Sequence, residues 1–309
     1  MLSTTYFTSV HSLVIGCSLF ISTCQNTLFT PFNVPYKLSN PDETYKLSNN
    51  LNEVSGINIT TGGEAVLVDD EKGSIFYYSL ANKNVVRSVH FSKEDNWEDI
   101  YVTNDTVYVL KNDGILVEIQ GIDSTGGKAK IRSLKTGLNA FNNTEGLCYD
   151  HKRKVFLIAC KGKPGLENFS NQHRGYKAIY EFNLQTRKLN TTPAMLINIR
   201  KVESMLLGSQ MNIMRRFLSL FSVPTKAVFQ PSGIAIHPIT GDIYIISATG
   251  HVLVLLNKEG TIKAVRKLPP KLFQQPEGIA FDESGNLFIS NEERSGKGNI
   301  LKFSLQQIL

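Results

Sequence analysis

Apolar residues along this chain fall in short runs broken by Gly, Asn, Asp and Pro, with no sustained helical spacing over most of its length. After Ser232 the runs are Ile234-Ala235-Ile236, Ile243-Tyr244-Ile245-Ile246, Val252-Leu253-Val254-Leu255-Leu256 and Ile262-Lys263-Ala264-Val265. Turn residues separate them: Pro238-Ile239-Thr240-Gly241-Asp242, Ala248-Thr249-Gly250 and Asn257-Lys258-Glu259-Gly260. β-branched and aromatic runs alternating with such turns predict a four-stranded antiparallel meander. The same order returns after Glu277, with Ile279-Ala280-Phe281, Leu287-Phe288-Ile289-Ser290 and Asn299-Ile300-Leu301-Lys302-Phe303.

Each meander opens on one phrase: Ser or Glu, usually Gly, then an aliphatic residue. It reads Val54-Ser55-Gly56-Ile57, Trp97-Glu98-Asp99-Ile100, Thr144-Glu145-Gly146-Leu147, Pro231-Ser232-Gly233-Ile234 and Pro276-Glu277-Gly278-Ile279. The Ser/Glu positions are spaced by 43, 47, 87 and 45 residues. A repeat of this length built of strands predicts propeller blades. The long interval holds either a cryptic sixth blade or an insertion. Residues 201–221 favour insertion, because Val202, Met205, Leu206, Ile213, Met214, Phe217, Leu218 and Phe221 fall near helical spacing and the phrase is missing. The expectation is an all-β fold, a five-bladed β-propeller of four-stranded antiparallel blades with a short helical insertion at about 201–222. The last repeat is short of one strand, and an open edge is a liability. Glu43-Thr44-Tyr45-Lys46-Leu47 is expected to complete it.

Residues 1–23 contain no Asp, Glu, Lys or Arg and include the apolar stretch Leu13-Val14-Ile15-Gly16-Cys17-Ser18-Leu19-Phe20-Ile21, short for a membrane span. The stretch resembles a bacterial lipoprotein signal, although a basic leader segment is missing. Cys24, which ends it, is the expected lipid attachment site, with Cys17 as the alternative. Residues 24–42 then read as a polar tether and 43–309 as the propeller. Cys148 and Cys160 fall on paired strands, where residue 148 would face about 157. That register disfavours a disulfide and leaves both as small buried hydrophobes. The net charge of +6 is mild, and no basic block with interleaved aromatics argues for nucleic acid. A monomer is expected.

The ordered phrases, with Ile236-His237-Pro238 after the fourth and Ile289-Ser290-Asn291-Glu292 after the fifth, resemble the SdiA-regulated family of bacterial envelope proteins over about residues 45–305. The resemblance implies a five-bladed propeller distantly related to NHL repeats, with a bound calcium ion and no assigned activity.

The repeat itself also points to a polar site. First strands line a propeller's channel. Ser55, Glu98, Glu145, Ser232 and Glu277 would therefore form a ring at one mouth. Carboxylates so close shift their pKa values up or gather a cation. Glu98, Glu145 and Glu277 are the candidate metal ligands, and a hard cation such as calcium suits their oxygens. The bland reading has them accept hydrogen bonds from strand N–H groups and Lys111. Aligning second strands on the glycines that follow adds a second ring of Asp70, Lys111, Ala159, Ser247 and Asn291.

Two function classes follow. One is a lipid-anchored, calcium-binding module of the cell envelope that presents a channel mouth to a small molecule or protein. The other is a calcium-dependent hydrolase of phosphate esters or lactones. There Glu292 or Asp99 would serve as base, and Lys161 and Lys163 would receive a phosphate. Neither a nucleophile elbow nor a phosphate-binding glycine loop is present.

Overall fold

A computed structural model describes residues 33–103, 105–122, 129–166, 173–208, 228–292 and 297–306. Strand β1 (Glu43–Lys46) precedes the first repeat. Blade 1 is β2 (Val54–Ile59), β3 (Glu64–Asp69), β4 (Ser74–Ser79) and β5 (Asn84–His90). Blade 2 is β6 (Trp97–Val102), β7 (Thr106–Lys111), β8 (Ile115–Gln120) and β9 (Lys130–Lys135). In blade 3, β10 (Thr144–Asp150), β11 (Val155–Cys160) and β12 (Tyr176–Asn183) are followed by a divided fourth strand. Its pieces, β13 (Lys188–Leu189) and β14 (Met195–Asn198), pair with opposite ends of β12. Blade 4 is β15 (Gly233–Ile236), β16 (Ile243–Ser247), β17 (Val252–Leu256) and β18 (Ile262–Lys267). Blade 5 is β19 (Pro276–Phe281), β20 (Leu287–Asn291) and β21 (Asn299–Phe303), with β1 as its outermost strand.

The blade count and the closing strand agree with the sequence expectation. β1 runs antiparallel to β21 with Tyr45 opposite Ile300, and Lys302 Nζ reaches Glu43 at 3.1 Å. The two ends of the chain thus share one sheet, which removes an exposed edge. The inner strands β2, β6, β10, β15 and β19 pack in turn around the axis.

Alternation along each strand sends side chains to opposite faces, so every blade contributes apolar surface to both neighbours. Five clusters result, one per blade–blade interface. Trp97 and Ile100 meet Val66 and Val68 between blades 1 and 2. Tyr45 and Leu47 on the closing strand help fill the interface between blades 5 and 1.

Helix α1 (Ile199–Gly208) follows β14 directly and opens the insertion. It buries Val202 and lays Met205 and Leu206 on the cluster between blades 3 and 4, so its apolar stripe is a cap. The rest of the expected insertion, 209–222, lies outside the described residues, as do Cys17 and Cys24. From residue 33 the expected tether is packed rather than free. Val34 and Tyr36 are buried against blades 4 and 5, and the Tyr36 hydroxyl donates to the Gly285 carbonyl at 2.6 Å. Cys148 faces Leu157, Cys160 faces Thr144, and both thiols are free and buried.

Candidate functional site: an acidic channel mouth

The repeated phrase is a β-bulge. In blade 2, Trp97 faces Lys111 and Asp99 faces Leu110, which leaves Glu98 as the extra residue. Glu145 is extra between the pairs Thr144/Cys160 and Gly146/Ala159, and Glu277 between Pro276/Asn291 and Gly278/Ser290. Blade 1 shifts register across Ser55-Gly56. In blade 4 the Ser232 N–H bonds Ile246 O at 2.9 Å, although Ile246 already faces Gly233. A bulge interrupts the pleat and re-aims the side chain it carries. The glycine after it allows close approach of the next inner strand. A Cβ at Gly233 would sit 2.6 Å from Glu277 O, and one at Gly278 2.6 Å from Ser55 O.

Asp99 takes the glycine's place in blade 2, and its side chain is consumed there. It accepts the N–H groups of Ile100 at 2.8 Å and Leu147 at 2.7 Å, and a further hydrogen bond from the Ile57 backbone. It fills the space left by Gly56 and is buried against backbone N–H groups, at the position where the sequence suggested a base.

Bulge geometry also corrects the second ring. The residue that follows the second strand donates its N–H two positions ahead of the bulge: Asp70 to Glu53 O, Asn112 to Asn96 O, Lys161 to Asn143 O and Glu292 to Gln275 O. The positions that share a level are therefore Asp70, Asn112, Lys161 and Glu292. Lys111, Ala159 and Asn291 lie one or two residues before them. Lys111 pairs with Glu94 and lies over the Trp97 ring, 5.4 Å from its centroid, rather than meeting a ring carboxylate. Ser247 donates to Thr249 O and accepts from Gln230 N–H; Ser232 donates to Pro276 O at 2.7 Å and accepts from Ala248 N–H. Ser55 gives its carbonyl to the Ser290 hydroxyl at 3.2 Å.

Among the described residues, what converges at the mouth is acidic, with one lysine. Glu98 and Glu145 are hydrogen-bonded to each other, Lys161 Nζ lies 3.0 Å from Glu145 Oε1, and Asn143 Nδ2 donates to the same oxygen at 2.8 Å. Burial first, then the charges of Glu145 and Asp70, push Glu98 up to about 10. Burial and Glu145 push Glu277 up to about 7. Glu292 rises to about 8 through burial and a hydrogen bond with Glu53, and Asp70 to about 6 through burial and its acidic neighbours. Burial raises Glu145 as well, against the pull of Lys161. The Lys161 ammonium is held charged by Glu145, Glu277 and Glu98, which outweigh its burial. Asp70 Oδ1 and Asn291 Oδ1 are buried atoms with no hydrogen-bond partner.

The carboxylate and carboxamide oxygens here suit a hard cation such as calcium. Among the described residues no three carboxylate, imidazole or thiol groups are placed closely enough to hold a metal. The ammonium of Lys161 stands among them. The donor chemistry and the two orphaned oxygens fit a cation; the present spacing is that of a site centred on Lys161.

The opposite mouth differs. Four residues beyond each bulge position stand Ile59, Val102, Tyr149, Ile236 and Phe281, all half-buried, around a cavity of about 1030 Å³. Each of the five also packs against one blade–blade cluster, which accounts for its apolar character.

Fold and site together define a five-bladed β-propeller with an acidic channel mouth. The chain belongs to the SdiA-regulated family, whose model matches residues 52–294. No curated protein matches the sequence. Among solved structures, glutaminyl cyclase from Myxococcus xanthus is similar with a TM-score of 0.54 at 12% identity, over 86% of this chain and 96% of that one. A luciferin-regenerating enzyme gives 0.50 at 12% identity, over 86% and 95%. The PQQ-bound aldose sugar dehydrogenase of Streptomyces coelicolor gives 0.50 at 11%, over 86% and 97%. At such identities the likeness concerns the fold alone.

Proposed function

We propose that this protein is an exported, lipid-anchored propeller of the cell envelope that binds calcium at its acidic mouth and serves as a ligand- or partner-binding module. One observation carries the cation reading. Asp70, Glu98, Glu145, Glu277 and Glu292 influence one another's protonation at one mouth, where Lys161 is their one cation among the described residues and buried oxygens lack partners. Side-chain oxygens of Asp70, Glu98, Glu145 and Glu277 would hold the ion, with water completing the shell of 6 to 8 oxygens usual for calcium. Bound there, calcium supplies the positive charge that lets these carboxylates ionise. They come from blades 1, 2, 3 and 5, so the ion would tie four blades at the axis.

Export and anchoring rest on the uncharged apolar stretch that ends at Cys24. Binding is favoured over hydrolysis because two of the residues assigned to hydrolysis are already engaged. Lys161 is engaged by Glu145, and Asp99 is sealed against backbone N–H groups.

Thermal melting of the folded protein tests the cation. A ligand bound by the folded state alone stabilises it by RT ln(1 + [L]/Kd), about 2.7 kcal/mol at a hundred times Kd. Millimolar calcium is expected to raise Tm and chelator to lower it. An unmoved melting curve overturns the reading.

A further inference from the structure

We propose that Lys161 is a tethered ammonium that holds the cation position in the acidic mouth and makes the site selective for divalent over monovalent ions. The proposal rests on the cation-binding reading above and assigns the residue that sets which cation is taken.

The geometry separates a fixed base from a free arm. Lys161 follows β11, and its backbone is locked on both sides. Its N–H donates to Asn143 O at 2.8 Å, and its carbonyl is gripped by the ammonium of Lys177, which also reaches Gly162 O at 3.2 Å. The next two residues are pinned as well: Gly162 N–H and Lys163 N–H donate to Asn142 O and Phe141 O, each at 2.7 Å. Asn142 Nδ2 in turn holds the carbonyls of Lys163 and Gly165 at 3.0 and 2.9 Å. The turn is thus an anchor. The side chain beyond it is 31% exposed, whereas that of its partner Glu145 is 5% exposed. The ammonium therefore has a path to water that the carboxylate lacks.

An ammonium on a flexible four-carbon stem is a compact, strongly hydrated charge that water readily receives. Glu145 touches it directly, and Glu98 and Glu277 act on it through their charge. An incoming ion must replace it. A sodium or potassium ion would exchange one positive charge for another and lose its own hydration, with no electrostatic gain. A calcium ion brings one charge more than it displaces, at a position where several carboxylates are short of compensation. Lys161 in this way sets a threshold that monovalent ions do not cross. It also keeps the metal-free mouth from holding uncompensated buried carboxylates.

The experiment compares wild type, Lys161→Gln and Lys161→Arg, each purified in calcium and then titrated against a calcium–chelator buffer. This measures affinity even for a variant that folds only when loaded. Melting is then followed at constant ionic strength as choline chloride is replaced by sodium or potassium chloride. Wild type is expected to bind calcium and ignore the monovalent exchange. Lys161→Gln is expected to bind calcium about ten-fold more tightly or better, and to gain Tm when sodium or potassium replaces choline. Lys161→Arg keeps the charge and is expected to keep wild-type selectivity. If wild type binds calcium while Lys161→Gln binds it no more tightly and stays indifferent to sodium and potassium, the role of Lys161 is refuted and the cation site stands. A Lys161→Arg variant that matches Lys161→Gln refutes it too, because charge is then not the determinant. If calcium is taken up by none of the three, the cation site itself falls, and the role of Lys161 with it.

Discussion

At the scale of single residues, the mouth is a group of carboxyls held away from water and from enough positive charge. Asp70, Glu277 and Glu292 sit at about 6, 7 and 8, and Glu98 at about 10, each raised mainly by burial. A carboxyl whose folded pKa is raised keeps its proton in the folded state after the unfolded chain has lost it. Without metal, these groups therefore favour the folded state most at low pH, and that contribution falls as pH rises through the ordinary carboxylate range toward 8. Calcium takes the place of those protons, so its binding strengthens over the same interval. In chelator, Tm is expected to be lower at about pH 8 than at about pH 6, and the gain on adding calcium is expected to be larger at about pH 8. A metal-free Tm that rises between these values would contradict the assignment. Glu98, Glu145 and Glu277 were legible because they recur at one repeat position. Lys161 was singled out only as a receiver of phosphate and not as a member of the ring, because the glycines used to align the second strands put Ala159 in its place. The bulge inserts a residue opposite that strand, and only the pairing register reveals the offset.

At the scale of elements, the short apolar runs and the turns between them gave away the strands of blades 4 and 5, since brief continuous apolar runs bounded by turn residues have the length of buried strands. The completion of blade 5 by β1 was legible from a missing strand and the need to cover an edge. The fate of Asp99 was not, since it depends on the packing of three inner strands. Its carboxylate joins β6 to β10 and β2 through backbone N–H groups, where other blades have glycine in direct contact. Removing an acceptor that serves several buried donors is costly, about 1–3 kcal/mol for each donor left unsatisfied. Asp99→Ala is expected to lower stability by about 3 kcal/mol or more in urea unfolding. A change within about 0.5 kcal/mol, the size seen at exposed sites, would instead return Asp99 to the channel wall.

At the scale of the whole molecule, fold, family and site are separate conclusions. The propeller places the carboxylates at the axis; the ligand is a matter of the site. The packing of Val34 and Tyr36 shortens the length of chain free to act as a tether. A lipid on Cys24 would leave residues 25–32 between the anchor and this packed segment. Mass spectrometry of the mature N-terminus, from cells that process lipoproteins, is expected to show a lipid-modified Cys24. An intact Met1 or an unmodified cysteine would contradict anchoring.

Glutamates re-aimed by the bulges of different blades are proposed to hold one cation between them. Calorimetric titration of calcium into chelator-stripped wild type, Glu145→Gln and Glu277→Gln tests this most directly, because Gln keeps the shape of each side chain and removes its charge. Wild type is expected to bind calcium saturably and each variant more weakly, although the two residues lie on different blades. Absence of saturable binding to wild type, or equal affinity in all three proteins, would contradict it.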